Sequence, residues 1–344
     1  MTSLPASTTP VFSTPATAAD QPQPDSKQQL ETLKAHVAEG LRCPQKTLSS
    51  MYFYDDEGSR LFQQIMALPE YYPTRTEFTL LTRHQQALAA ALRPETAQEP
   101  FFLLELGAGD GLKTKVLLRH LLETGAVLTY VPVDISGAAL DGLAASLSEE
   151  LPDLRVEPIV ADYSAALQLM ATRPGRKVVL FLGSNIGNFL PPDRQAFLRT
   201  LAAPLSSNDR LLIGFDLQKD PRFIRAAYDD AQGVTAAFNL NLLVRLNREL
   251  GADFDLSHWQ HYTDYDPLAG TVRSFLVSAR AQSVRMAALN QSFDFRAWEM
   301  IHTENSYKFT APQIENLAAE AGLQVTEFFT DEQDYFADVV LRPA

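Results

Sequence analysis

Gly107, Gly109 and Gly111 fall at alternate positions in LELGAGDGLKT, directly after the apolar run FFLLEL (101–106) and before a helix-like segment. Missing Cβ atoms at such a turn let the backbone bend sharply and approach a ligand closely, which is the chemistry of a nucleotide cradle. A dinucleotide fingerprint would put its third glycine at 112, where the chain has Leu112. NAD and FAD are therefore disfavoured, and an NAD(P)-dependent oxidoreductase is the competing enzyme class. Asp134 ends the next apolar run, 27 residues after Gly107, where an acidic side chain can accept both hydroxyls of a ribose. Asp162 and Tyr163 end the run after that, placed to pair with an adenine amino group and to cover its ring. A glycine turn with two strand-end aspartates fits S-adenosylmethionine (SAM) better than a pyrophosphate cofactor.

These residues need strands that end together. The runs FFLLEL (101–106), LTYVPVDIS (128–136), LRVEPIVADY (154–163), KVVLFLGS (177–184) and RLLIGFDL (210–217) are short, apolar and partly β-branched, with helix-like stretches between them. That alternation predicts an α/β fold whose parallel sheet is covered on both faces, with ligands at the carboxyl ends of its strands. LQVTEFFTD and YFADVVLRP, near the end of the chain, predict an antiparallel pair at one sheet edge.

The chain has 344 residues and 46% apolar composition, enough for two domains or one with a large insertion. Its 42 acidic against 29 basic residues give a net charge of -13, which argues against nucleic acid, whose phosphates need clustered Lys and Arg. A single cysteine, Cys43, excludes an intramolecular disulfide and a multi-cysteine zinc site. Residues 1–27, rich in Ser, Thr, Pro and Ala, are expected to be a disordered tail without a signal-peptide core. No run suits a membrane span, and the expected compartment is the cytoplasm. His258 and His261 have a spacing that two metal ligands can share, but no third ligand is evident, so they are expected at the surface or in packing, with no metal.

Three segments do not fit a plain α/β unit: residues 51–77, 226–254 and 300–309. In the first, DDEGS predicts a turn and cap before an amphipathic helix carrying Leu61, Phe62, Ile65 and Leu68, which Pro69 closes. In the second, Val234, Phe238, Leu242 and Leu246 recur at helical spacing as a buried face, with Asn239 and Asn241 expected on the helix surface. Within and around these segments lie FYDDEGSRLF, LPEYYPTRTE, LGAGDGLKT, VPVDIS, GSNIGNF, AYDDAQGVTAAFN, NRELGADF, HTENSYKF and FTDE. In that ordered set the chain resembles the SAM-dependent histidine-specific Nα-methyltransferases of ergothioneine biosynthesis, which trimethylate free L-histidine to hercynine. The resemblance spans nearly the whole chain after the tail. It implies a class I, Rossmann-like SAM domain (76–217 and 309–344) and a second, discontinuous substrate domain (28–75 and 218–308), with the amino acid between them.

Carried over by position, the resemblance implies that SAM is held by Gly107, Gly109, Lys113, Asp134, Asp162 and Tyr163. For the substrate it points to Asn188 and Tyr228 at the α-carboxylate with Gly183 beside them, Tyr54 near the α-amine, and Tyr71, Glu304 and Ser306 at the imidazole. His302 is expected to be structural. Ser274, in TVRSFLVS, stands where characterised members carry a methionine in the histidine pocket. The smaller residue is expected to weaken histidine binding, and either to admit a larger ring or to let Phe275 turn inward. The alternative substrate is accordingly another aromatic amino acid, such as tryptophan or tyrosine. Methyl transfer to an amine is an in-line displacement needing a neutral lone pair, so orientation should supply most of the catalysis. The expected proton route runs through Tyr54 and water, with no metal and no strongly shifted catalytic pair. Tyrosine faces can tolerate the methylated ammonium. The chain is expected to act as a monomer on histidine and its mono- and dimethyl forms, without nucleic-acid or membrane partners.

Overall fold

The computed structural model describes residues 26–344 apart from 95 and 97. The expected tail lies outside the described residues as far as residue 25, while Ser26 and Lys27 already open the helix Ser26–Gly40. Among the described residues thirteen strands follow in chain order. The first six are β1 (Phe101–Leu106), β2 (Leu128–Asp134), β3 (Arg155–Val156), β4 (Ile159–Val160), β5 (Arg176–Phe181) and β6 (Arg210–Asp216). The remaining seven are β7 (Trp259–Asp266), β8 (Thr271–Ser278), β9 (Gln282–Met286), β10 (Gln291–Phe295), β11 (Met300–Tyr307), β12 (Leu323–Thr330) and β13 (Phe336–Pro343).

The large sheet runs β12-β13-β6-β5-β1-β2-β3, with β4 also on β2. β1 to β6 pair in parallel, whereas β13 pairs antiparallel with both β6 and β12. This is the sheet order of a class I methyltransferase. The single strand expected over 154–163 is broken into β3 and β4, each only two residues long. Alternation along the strands fills both faces. Leu104, Val131, Val179 and Ile213 join Leu167, Leu198 and Ile314 from helices on one side. Leu103, Tyr130, Leu180 and Leu212 join Leu88, Leu117 and Leu143 from helices on the other. Both faces are dry, as a parallel sheet requires.

The chain leaves this sheet after Asp216 and returns at Phe309, where Leu217 and Phe309 bridge in parallel. Between them lie a three-stranded antiparallel sheet, β11-β8-β7, and the hairpin β9–β10. A third core joins these to the N-terminal segment: Phe53, Leu61 and Ile65 pack with Phe238, Leu242, Leu246 and Ile301. Asp55 caps the helix Asp56–Ala67 by accepting from Gly58 N at 2.8 Å, as DDEGS predicts. The division expected between 75 and 76 falls inside the first turn of the helix Tyr72–Leu92. Asn239 and Asn241 are not on the helix surface. Both are buried, because Asn239 bonds Thr235 O and Thr303 Oγ1, and Asn241 reaches the capping Asp55 carboxylate. Among the described residues no helix is long and apolar enough to cross a membrane.

One irregularity aims the site. β11 pairs His302 with Phe275 and Glu304 with Ser274, so the register slips by one residue at Thr303. Strict alternation would put His302, Glu304 and Ser306 on one face. The bulge sends His302 to the Phe275 side and turns Glu304 and Ser306 to the other.

Candidate active site

The glycine turn leaves β1 and folds over the end of β2. Gly107 N and Ala108 N both donate to Val133 O, at 2.8 and 3.0 Å. Gly109 N donates to Asp134 Oδ2 at 3.1 Å, and Ser136 N to Asp134 Oδ1 at 3.0 Å. Gly107, Gly109 and Gly111 have φ of +76°, +53° and +65°, which side chains adopt only under strain. A Cβ on Gly109 would meet nothing within 4 Å, while one on Gly107 would lie 3.1 Å from Tyr163 Oη. The turn therefore presents bare backbone to open space beside the strand-end Asp134 and the Tyr163 hydroxyl, a cradle that fits a ribonucleoside cofactor.

Asp162 caps the helix Tyr163–Ala171 by accepting from Ala165 N. The Tyr163 ring packs edge-on against Phe181 with centroids 5.3 Å apart, and burial pushes its phenol up to about 12. Lys113 is turned inward to the carboxylate of Glu77, which is fully buried on the helix Tyr72–Leu92 and accepts from Gly183 N at 2.8 Å. Burial alone would depress the Lys113 ammonium, but Glu77 outweighs it and holds it above its usual value. Sequence reasoning missed Glu77. Its helix shows a buried face, and nothing in residue type reveals that a glutamate within that face meets a lysine from another element.

Beside the turn opens a partly enclosed cavity. It brings together Tyr54, Tyr71, Gly183, Asn188, Tyr228, Glu304 and Ser306, which come from five separate stretches of the sequence. Asn185 ties the cavity to the turn, because it lines the former and its Nδ2 lies 3.8 Å from the Cβ position of Gly107. Tyr54 packs edge-on against Phe62 and Phe238, and Tyr71 against Phe62 and Tyr228, so aromatic faces form one wall. Ser274 is not on the wall. It is 1% exposed, directly opposite Glu304 across β8 and β11, and its Oγ meets Thr263 Oγ1 at 3.3 Å. Phe275 faces the opposite side, against His302 and Tyr262, so it cannot fill the pocket.

The walls are electrostatically uneven. Burial lifts Glu304 to about 7, only partly countered by Lys308. Burial also raises Tyr54, Tyr71 and Tyr228 well above the ordinary phenol range, so all three stay protonated at neutral pH. Tyr54 thus offers lone pairs and a proton, not a phenolate base. The floor contains Asp216, which accepts from Lys308 at 2.7 Å and from Tyr72 Oη at 2.8 Å and also pairs with Lys219. Burial pushes Asp216 up, but the two ammonium groups prevail and hold it below the ordinary carboxylate range. Burial brings Lys219 down to about 8. Strongly shifted groups are therefore present around the cavity, because burial removes them from solvent.

Asn239 was expected at the helix surface, and Asp216 and Lys308 were not singled out from sequence. A signal for two of them exists. Asn239 sits among the helical repeats of Phe238 and Leu242, and Lys308 shares strand parity with Ser306 and Glu304. His258 pairs with Asp255 and His261 Nε2 meets Tyr228 O. Among the described residues no group of three or more His, Cys, Asp or Glu could hold a metal ion.

The chain was compared with known proteins. Over 301 residues it is 40% identical to a histidine N-alpha-methyltransferase of Mycolicibacterium smegmatis, covering 88% of this chain and 92% of that protein. Its identity to a histidine N-alpha-methyltransferase of Mycobacterium tuberculosis is 38%, with the same coverage. Ergothioneine biosynthesis protein 1 of Schizosaccharomyces pombe is 28% identical over 86% of this chain but only 39% of its own length. Residues 33–343 match the family profile described as "Histidine-specific methyltransferase, SAM-dependent". With a nucleotide cradle and a cavity lined by tyrosines, asparagines and a carboxyl side by side, the chain belongs to the family of SAM-dependent histidine-specific methyltransferases.

Proposed function

We propose that this enzyme transfers three methyl groups from SAM to the α-amine of free L-histidine, yielding hercynine for an ergothioneine-type pathway. The observation that carries this reading is Glu304, a carboxyl with a midpoint near neutrality, facing a cavity that adjoins the glycine turn. An imidazole N–H needs such an acceptor. An indole offers one N–H as well, but its larger apolar face would leave the polar Glu304 and Ser306 wall partly unpaired at a cost of about 1–3 kcal/mol.

In this reading residues 76–217 and 309–344 hold SAM, with Asp134 at the ribose, Asp162 and Tyr163 at the adenine, and Lys113 at the far end, released from Glu77. Bound SAM supplies an electrophilic methyl on a sulfonium, a good leaving group. Residues 28–75 and 218–308 supply most of the amino-acid pocket, which Asn188 and Gly183 reach from the SAM side. Asn188 and Tyr228 donate to its carboxylate and Gly183 allows close approach. Glu304 and Ser306 fix the imidazole, and Tyr71 closes over it. Tyr54, protonated throughout, accepts an N–H from the neutral amine in the first two transfers and so aims the lone pair, water receives the proton released after each of them, and the third transfer, to a tertiary amine, releases none. The edge-on faces of Tyr54 and Tyr71 stabilise the growing quaternary ammonium by cation–π attraction, which permits repeated methylation.

Mass spectrometry after incubating the protein with SAM and the twenty amino acids tests this directly. A histidine product heavier by three methyl groups is expected. Methylation of a different amino acid would overturn the substrate assignment and leave the family intact.

A further inference from the structure

Beneath the cavity the ends of β6 and β11 meet in a buried charge cluster. The Lys308 side chain is 1% exposed, and its Nζ donates to Asp216 Oδ2 at 2.7 Å, Tyr228 Oη at 2.7 Å and Ser306 Oγ at 2.9 Å. An ammonium has three protons, so all of them are committed. Asp216 is shared with Lys219, whose own contacts are the carboxylate, Tyr72 Oη and Leu217 O. Two ammonium groups thus face one carboxylate. Within ion-pair distance the two ammonium groups share Asp216 alone, while Glu304 acts on Lys308 and Asp331 on Lys219 from further off, and a buried charge that lacks a close partner is costly.

The hydroxyls show where the missing partner belongs. Tyr228 Oη and Ser306 Oγ are 2.8 Å apart, and both accept from Lys308. Between them they carry two protons, only one of which can lie in their mutual hydrogen bond. The other must point away, and both groups line the cavity. Lys308 holds both oxygens as acceptors, so when Ser306 Oγ donates to Tyr228 Oη the Tyr228 proton is the one aimed at the cavity, and a Ser306 lone pair stays open to an imidazole N–H.

We propose that Lys308 is a positioning residue for the substrate carboxylate, orienting the Tyr228 hydroxyl through its contacts with Tyr228 and Ser306 and making the enzyme select amino acids with a free α-carboxylate over their neutral amides. This rests on the reading that Tyr228 meets the carboxylate, and not on which side chain the substrate carries.

The test compares L-histidine with L-histidinamide, by KM and by calorimetric Kd, in the wild type, Lys308→Met and Lys308→Arg, each checked for SAM affinity. Losing a buried, hydrogen-bonded charge contact typically costs two or more orders of magnitude, so the wild type should prefer histidine by about 100-fold or more. Lys308→Met should cut that preference at least about tenfold with SAM affinity unchanged, and Lys308→Arg, which keeps the charge, should restore most of it. A Met variant that binds SAM normally and keeps the full preference overturns the proposal. If that variant does not fold, equal wild-type affinities for acid and amide overturn it without any variant. Should the enzyme prefer another amino acid, that acid and its amide replace the histidine pair. The histidine assignment would then fail while the Lys308 test still reads out.

Discussion

Replacing Glu304 by glutamine removes one ionisable proton at nearly constant volume. Burial lifts this carboxyl from 4.5 to about 7. Between those values the folded chain keeps a proton that the unfolded chain has released, so the stability associated with Glu304 is fully present below pH 4.5 and is lost as pH rises through 7. The whole interval corresponds to about 3 kcal/mol. Glu304 lines a cavity open to water, which reduces the expected loss to about 1–2 kcal/mol. Glutamine has no such loss. Glu304→Gln should therefore be more stable than the wild type by about 1–2 kcal/mol at a pH about 1.5 above the folded midpoint, and indistinguishable from it near the free-glutamate value. Denaturant unfolding of the substrate-free protein at the two pH values measures this. The same change should weaken histidine binding by about 1–2 kcal/mol, because a neutral amide accepts an imidazole N–H less strongly than a carboxylate, while SAM binding stays intact. An identical stability difference at both pH values would refute the burial argument, and an equal loss of SAM affinity would refute the separation of the two binding regions.

Asp134→Ala should weaken SAM binding by about 1.5–3 kcal/mol through loss of a charge-assisted acceptor, measured by calorimetry; since Asp134 also anchors Gly109 N, unchanged affinity would remove the cradle from the cofactor site. Ser274→Met should cost about 1–3 kcal/mol of stability and raise, not lower, the histidine KM, because Ser274 is enclosed against Thr263 behind the wall and added volume must push toward Glu304. A lower KM with unchanged melting temperature would show that the site accommodates the thioether. Gly187→Ala should cost about 2 kcal/mol or more, since its Cβ would lie 2.7 Å from Tyr307 O and force β11 away from the segment that carries Asn188. Both ligand affinities should fall together, and unaltered calorimetry for histidine would exclude that coupling.

The nucleotide half was legible in the sequence because its determinants are local. Glycines after an apolar run, and acids at the ends of the next two, are set by a turn and by strand length, so Gly107, Gly109, Asp134 and Asp162 could be placed without knowing the rest of the chain. The Asp55 cap and the buried stripe of Phe238 and Leu242 follow from the same short-range rules. The substrate half yielded its residues through ordered family motifs, since Tyr54, Tyr71, Tyr228 and Glu304 are ordinary residue types far apart in the chain. What they do was decided by tertiary structure. One extra residue at Thr303 separates His302 from Glu304, and no periodicity announces a bulge. The Ser274 hydroxyl is engaged by Thr263, a strand-pairing consequence that alignment by position cannot see. Glu77, Asn239 and the Asp216–Lys219–Lys308 cluster owe their roles to partners more than 30 residues away in sequence or to the dry floor where two sheets meet. Burial and long-range pairing are properties of the packed chain, and they turn a serine, a tyrosine and a lysine that sequence treats as separate residues into one oriented donor.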